Sequence, residues 1–284
     1  MSSMSVSYIL TDRQSIHVCY ACFMKLICPV CREELKREGR AARCSNGHSY
    51  DYAKSGYLNL YLSHKTVHGD DADMVKARTA FLNTGAYAFL RSELRSIFEA
   101  HGSTSLVDLG CGEGYYTSYM PQSDRAAFDL ARKALMHAAK NDPDTQYCVS
   151  SIFHVPLADA CTDSVLTCFA PVASEEIERI LKPGGIFVLV TPGPDHLFEF
   201  KSVLYDTPYR NPMKDIDTAL TLTDDRMIRE AFTADKAVLS DLFTMTPYVW
   251  HTPQENKKRL DSLETLSVTA EFRIRIYRKE TAAA

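Results

Sequence analysis

The sequence predicts an α/β fold, a mostly parallel sheet with helices on both faces, carrying a small metal-dependent module at its N-terminal end. Three observations predict it. Beyond about residue 105 short apolar runs alternate with helical patterns. A glycine-rich turn follows directly on the first of those runs. Five of the nine cysteines fall within the first 44 of the 284 residues.

Composition sets the frame. With 45% hydrophobic and 24% charged residues the chain can bury a sizeable core. A formal net charge of −4 argues against a generally basic, nucleic-acid-coated surface but leaves room for a local basic patch. No apolar run approaches the roughly twenty residues of a membrane span, and the start MSSMSVSYILTDRQ lacks the pattern of a signal peptide. The expectation is a soluble, cytoplasmic protein whose cysteines are thiols or metal ligands rather than disulfides.

Residues 1–23 show no periodicity and read as a poorly ordered extension. Residues 24–62 are short, polar and turn-rich, too small to support a core unaided. Within them Cys28-Pro-Val-Cys31 and Cys44-Ser-Asn-Gly-His48 provide four ligands, Cys28, Cys31, Cys44 and His48, at the spacing of a tetrahedral Cys₃His zinc site. Four protein ligands close the coordination shell, so the zinc is expected to be structural. Cys19-Tyr-Ala-Cys22 is a further C-x₂-C with no second pair nearby to complete a tetrahedron, although His17 and His64 leave its role open. Between Lys25 and Lys65, eight basic residues stand against four acidic ones. A positive module on an acidic protein suits RNA docking; an ordinary solvated face fits the charge nearly as well.

From Asp70 to about His101 the pattern is helical, with Leu90, Leu94, Ile97 and Phe98 on one face and Gly85 dividing it from an earlier helix. Ser105–Leu109, Ala126–Leu130, Tyr147–Ser150, Val165–Ala170 and Ile186–Val190 read as strands, with helices at Ala131–Asn141 and Glu175–Leu181. Ser174 is a candidate cap for the second helix, and Pro183-Gly-Gly185 its stop. Phe272, Ile274 and Ile276 alternate with Arg273, Arg275 and Tyr277, as in a sheet-edge strand with one buried face.

In Asp108-Leu-Gly-Cys-Gly-Glu-Gly114 the glycines stand at 110, 112 and 114, immediately after a strand. Glycine lets the backbone turn sharply and approach a ligand closely. A dinucleotide site would use G-x-G-x-x-G to hold a pyrophosphate. Here the carboxylate of Asp108 would repel pyrophosphate, but it suits a cationic amino acid headgroup. S-adenosylmethionine carries an ammonium and a sulfonium, and is the expected cofactor. Its ribose needs an acid at the end of the next strand, and Asp129 stands there.

These stretches, with Ala53-Lys-Ser-Gly-Tyr-Leu-Asn-Leu60, Ala77-Arg-Thr-Ala-Phe-Leu82, Gly112-Glu-Gly-Tyr-Tyr-Thr117, Phe169-Ala-Pro171, Leu181-Lys-Pro-Gly-Gly185 and Thr191-Pro-Gly-Pro-Asp-His196, make the chain similar to the RlmA-type 23S rRNA (guanine-N1) methyltransferases. The resemblance runs from about Ile27 to the C-terminus and is strongest up to about residue 205. It implies a zinc-binding module at 24–62 that helps recognise rRNA, and at 63–284 a Rossmann-like domain with a seven-stranded, mostly parallel sheet that binds S-adenosylmethionine. It also implies methylation of N1 of a guanosine in the hairpin 35 region of 23S rRNA. By the same resemblance Cys28, Cys31, Cys44 and His48 are zinc ligands, and Tyr87, Gly112, Glu113 and His196 contact the cofactor. The fold logic adds Asp108, Gly110, Asp129 and Ser151. The sequence departs from the family at Ala86 and around Ser150-Ser-Ile-Phe-His-Val-Pro156.

Guanine N1 must lose a proton, so an acceptor near the target is expected. His196 is one candidate, but no catalytic residue is assigned. Tyr115, Tyr116 and Phe169 are candidates to stack on a base. Methylation of a small molecule, with a purely structural zinc module, is the alternative. Nothing in the sequence marks an interface, which leaves monomer and homodimer both open.

Overall fold

The computed structural model describes residues 24–63 and 71–281. The expectations for residues 1–23, including the Cys19–Cys22 pair and His17, and for His64 lie outside the described residues.

A three-stranded antiparallel sheet, β1 (Lys36–Glu38), β2 (Ala41–Arg43) and β3 (Ser49–Asp51), opens the described chain. The two-residue strand β4 (Leu58–Asn59) follows. Two helices come next, α1 (Ala72–Asn83) and α2 (Ala88–His101), divided by a turn with Gly85 at φ +85°. The Asp71 carboxylate caps α1 by accepting from the amides of Asp73 and Met74. Leu90, Leu94, Ile97 and Phe98 are the buried residues of α2, as their spacing predicts.

The chain then alternates: β5 (Ser105–Leu109), β6 (Asp124–Asp129), α3 (Arg132–Asn141), β7 (Thr145–Val149), β8 (Thr162–Cys168), α4 (Ser174–Ile180), β9 (Leu181–Pro192) and α5 (Phe198–Leu204). It closes with β10 (Thr221–Asp235), α6 (Lys236–Met245), the short α7 (Tyr248–His251), α8 (Gln254–Asp261) and β11 (Thr265–Arg278).

The large sheet has the order β10-β11-β9-β8-β5-β6-β7-β4. From β9 to β4 all neighbours are parallel, and only β11 runs against the rest, antiparallel to both β9 and β10. Seven of these strands are the expected mostly parallel sheet. The eighth, β4, comes from the metal-dependent module and pairs with β7, Leu58 opposite Cys148. Fully buried Leu58 and Cys28 and buried Met24, Leu26 and Leu60 lie in one apolar cluster with Val107, Leu109, Ala126 and Phe128. The module has no closed core of its own. It borrows one from the sheet, as a segment of its size must.

Three local expectations are corrected. Ser174 is the first residue of α4 and does not cap it; Ala173 precedes the helix, with no side-chain hydrogen bond to its free amides. The Pro183-Gly-Gly185 turn does not separate helix from strand, because β9 already begins at Leu181. Nor does β11 lie at the sheet edge, which is occupied by largely exposed β10. The arginine face of β11 is covered as well. Arg275 is 2% exposed, and the Asp215 carboxylate, in the loop ahead of β10, pairs with both Arg273 and Arg275.

Among the described residues no helix is long and apolar enough to cross a membrane.

Candidate cofactor and metal sites

In an open parallel sheet the ligand crevice forms outside the carboxyl ends of the strands, where the strand order reverses. Here the order reverses between β5 and β8. A cavity of about 910 Å³ opens at that point. Its wall contains all eight residues expected to touch the cofactor: Tyr87, Asp108, Gly110, Gly112, Glu113, Asp129, Ser151 and His196.

The loop after β5 is built for close approach. Gly110, Gly112 and Gly114 have φ of +85°, +53° and +75°. A Cβ on Gly110 would lie 2.3 Å from that of Ala170, and one on Gly114 would lie 2.5 Å from the Tyr147 hydroxyl. The first glycine therefore fits the loop against the end of β8, the third against β7.

Asp108, at 2% exposure, accepts a hydrogen bond from the Thr117 hydroxyl at Oδ2, while Oδ1 is buried without a partner. Burial pushes its carboxyl up to about 7; the Asp129 charge adds to this and the Thr117 bond opposes it. An orphaned acceptor of this kind fits a cationic ligand group. The Asp129 carboxylate accepts from Gly112 N–H (2.9 Å) at Oδ2 and from Ala131 N–H (2.7 Å) at Oδ1. Each oxygen keeps a second acceptor site, enough for a pair of ribose hydroxyls. The Ser151 Oγ accepts from Phe153 N–H.

Glu113 is engaged by a residue that the sequence did not assign. Arg78 of α1 donates through Nε to both carboxylate oxygens, at 2.9 and 2.7 Å, and fastens α1 against the cofactor loop. Arg78 stands inside the Ala77–Leu82 stretch, but its partner is 35 residues away. Leu197, Tyr209, Asn211, Tyr248 and His251 also line the cavity and were not singled out by sequence.

At the far wall the Tyr87 hydroxyl lies 3.3 Å from Nε2 of His196, and Nδ1 of His196 accepts from the backbone N–H of Glu271 (3.2 Å). Burial, with the nearby Lys201 charge, lowers the His196 pKa to about 3. The ring is neutral and its proton sits on Nε2, which donates to the Tyr87 oxygen. With both nitrogens engaged, His196 is a poor proton acceptor. Burial also raises the Tyr87 pKa, so its phenol stays protonated and keeps its own hydrogen to offer.

The second site is the cysteine cluster. The ligand atoms of Cys28, Cys31, Cys44 and His48 all lie within 4.8 Å of one another. Sγ of Cys31 and Cys44 are 3.6 Å apart, and Sγ of Cys44 is 3.3 Å from Nδ1 of His48. A tetrahedral ion with metal–sulfur bonds of about 2.3 Å spaces its ligands by roughly 3.8 Å, and the donor set fits zinc. Burial raises the Cys28 thiol, but the Tyr50 hydroxyl and the backbone amides of Cys31 and Val30 outweigh it and bring the pKa down to about 6, favouring the thiolate that binds metal.

Fold, cavity and cluster together define an S-adenosylmethionine-dependent methyltransferase with a zinc ribbon. The RlmA N-terminal family profile matches residues 26–65 and the methyltransferase domain profile residues 107–189. The 23S rRNA (guanine(748)-N(1))-methyltransferase of Streptomyces fradiae is 32% identical over 264 residues, covering 86% of this chain and 94% of that one. The chain belongs to the RlmA-type 23S rRNA (guanine-N1) methyltransferase family. A malonyl-[acyl-carrier protein] O-methyltransferase of Pectobacterium atrosepticum is 31% identical over 115 residues, covering 37% of this chain and 46% of that one. Among solved structures, the YcgJ protein of Bacillus subtilis superposes with a TM-score of 0.44 at 12% identity, covering 63% of this chain and 93% of that one.

Proposed function

We propose that the protein methylates N1 of a guanosine in the hairpin 35 region of 23S rRNA, acting in the cytoplasm. Residues 24–62 are its zinc-binding, RNA-recognising module and residues 63–284 its catalytic domain. The observation that carries the reading is the Streptomyces fradiae match, which covers 86% of this chain and 94% of that enzyme, beside the RlmA N-terminal profile at residues 26–65. A relative matched over only 37% of this chain acts, by its name, on another substrate, a malonyl-[acyl-carrier protein].

S-adenosylmethionine, when bound, supplies an electrophilic methyl group. The chain's own part is to hold and orient. Asp108 offers Oδ1 to the ammonium, and Asp129 its remaining acceptor sites to the ribose. Tyr87, with its oxygen already occupied by His196, donates its hydroxyl hydrogen toward the cofactor's carboxylate. Gly110 and Gly112 remove the side chains that would stand in the way. Glu113 acts through Arg78 to hold α1 against the cavity.

The test is radiolabelled methyl transfer to unmethylated 23S rRNA fragments, mapped by primer extension, which N1 methylation blocks. Label and a stop within hairpin 35 are expected. Absence of label from every hairpin 35 substrate overturns the assignment.

A further inference from the structure

Arg91 follows Tyr87 by one helical turn on α2. Its guanidinium is held between two tyrosine rings, 4.5 Å from the centroid of Tyr115 and 4.4 Å from that of Tyr119. Nε is enclosed and makes no hydrogen bond, and among the described residues no carboxylate pairs with the side chain. The two acids on the same helix are already taken, Glu93 by Arg226 and Glu99 by Arg95. The result is an uncompensated cation, fixed face-on by aromatic rings, in a chain of net charge −4.

Position gives it meaning. Tyr115 is part of the cavity wall, while Tyr119 is exposed, so the stack runs from the cavity outward. Arg95 extends it, 5.2 Å from the Tyr119 ring on the same helical face. A guanidinium packed between rings keeps its planar donors in one orientation, which lowers the ordering cost of binding an anion. Alternating arginine and aromatic faces are also what a single strand of RNA binds, through phosphate and base together.

We infer that Arg91, clamped by Tyr115 and Tyr119, is a phosphodiester-binding site on the rim of the cavity, taking the RNA backbone beside the nucleotide that enters. The inference rests on RNA being the substrate. The cofactor's carboxylate is the other anion within the same chemistry, and the measurements separate the two.

Binding is measured by fluorescence anisotropy over a salt series, with a hairpin 35 fragment of 23S rRNA and with an unrelated single-stranded oligouridylate. Cofactor affinity is measured by calorimetry. For Arg91→Met the site predicts about tenfold weaker binding of both RNAs and a log–log salt slope smaller by about one, with cofactor affinity within about twofold of wild type. Arg91→Lys keeps the charge without the stack and should fall between the two. Tyr119→Leu should also weaken RNA binding.

Wild-type RNA affinity and salt slope in Arg91→Met would overturn the site. So would a loss of cofactor affinity as large as the loss of RNA affinity, because the anion would then be the cofactor's carboxylate. Should the wild type fail to methylate the hairpin yet bind both RNAs through Arg91, the substrate assignment falls and the rim site stands. Failure of the wild type to bind either RNA overturns both.

Discussion

The Thr117 hydroxyl donates to Oδ2 of Asp108 across 2.5 Å, which leaves Oδ1 buried in the cavity wall with no partner. A carboxyl raised to about 7 by burial and by the Asp129 charge is largely protonated in the empty site at pH 6.5. A bound ammonium favours the ionised form, so cofactor binding should expel roughly half a proton or more at that pH, and affinity should rise as pH increases through 7. Calorimetry in two buffers of different ionisation enthalpy reads the release. Asp108→Asn should abolish it and weaken binding about ten- to a hundredfold, the worth of a charged hydrogen bond. Equal proton release in the variant would remove Asp108 from this role.

What could be read from the sequence was what is local in it. The Gly110–Gly114 loop declares itself because positive φ and a missing Cβ are demands on single residues. The Cys₃His ligands are two short spaced pairs. Asp129 follows once the strand rhythm is known. Long-range pairings were silent. Nothing in the sequence shows that Arg78 reaches Glu113 or that Leu58 extends the sheet beside Cys148. The arginines of β11 misled for a physical reason: alternating charge normally marks a solvent face, but here Asp215, 58 residues earlier than Arg273, and Asp225 of β10 pair with it.

Zinc should stabilise more than its own module. Because β4 pairs with β7 and the module's apolar residues share the sheet's core, losing the metal exposes one flank of the catalytic domain. Cys44→Ser or His48→Ala should lose close to one equivalent of zinc by mass spectrometry. Either should also lower the melting temperature by roughly 10 °C, the shift that ~3–5 kcal/mol produces in a chain of this size. An unchanged melting temperature in zinc-free protein would show that the module is only appended.

Two glycines with similar backbones should respond unequally to alanine. Gly110 and Gly102 both have positive φ, at +85° and +63°. An added Cβ at Gly110 runs into Ala170, whereas Gly102 has open space. Gly102→Ala should cost only the backbone strain, about 1–2 kcal/mol. Gly110→Ala must also move the end of β8, and should lose measurable cofactor binding altogether. Denaturant melts and cofactor titrations on the two variants decide it; equal behaviour would mean that the Ala170 contact is readily relieved.

His196 gives the protein a defined acid sensitivity. The residue is 8% exposed, and its ring is held neutral with a pKa of about 3 against 6.5 in the unfolded chain. Above the unfolded value neither state binds the proton, and the folded form keeps its full advantage. As pH falls below 6.5 the unfolded chain takes up a proton that the native ring refuses. The His196 contribution should then be lost at about 1.4 kcal/mol per pH unit. Subtracting the stability of His196→Asn from that of wild type, each measured by urea unfolding between pH 7.5 and 4.5, cancels the other titrating groups. The difference should be flat above about 6.5 and decline steadily below it. Parallel curves across the whole range would mean that the ring takes up a proton in the native state, and that the Glu271 amide is not what occupies Nδ1.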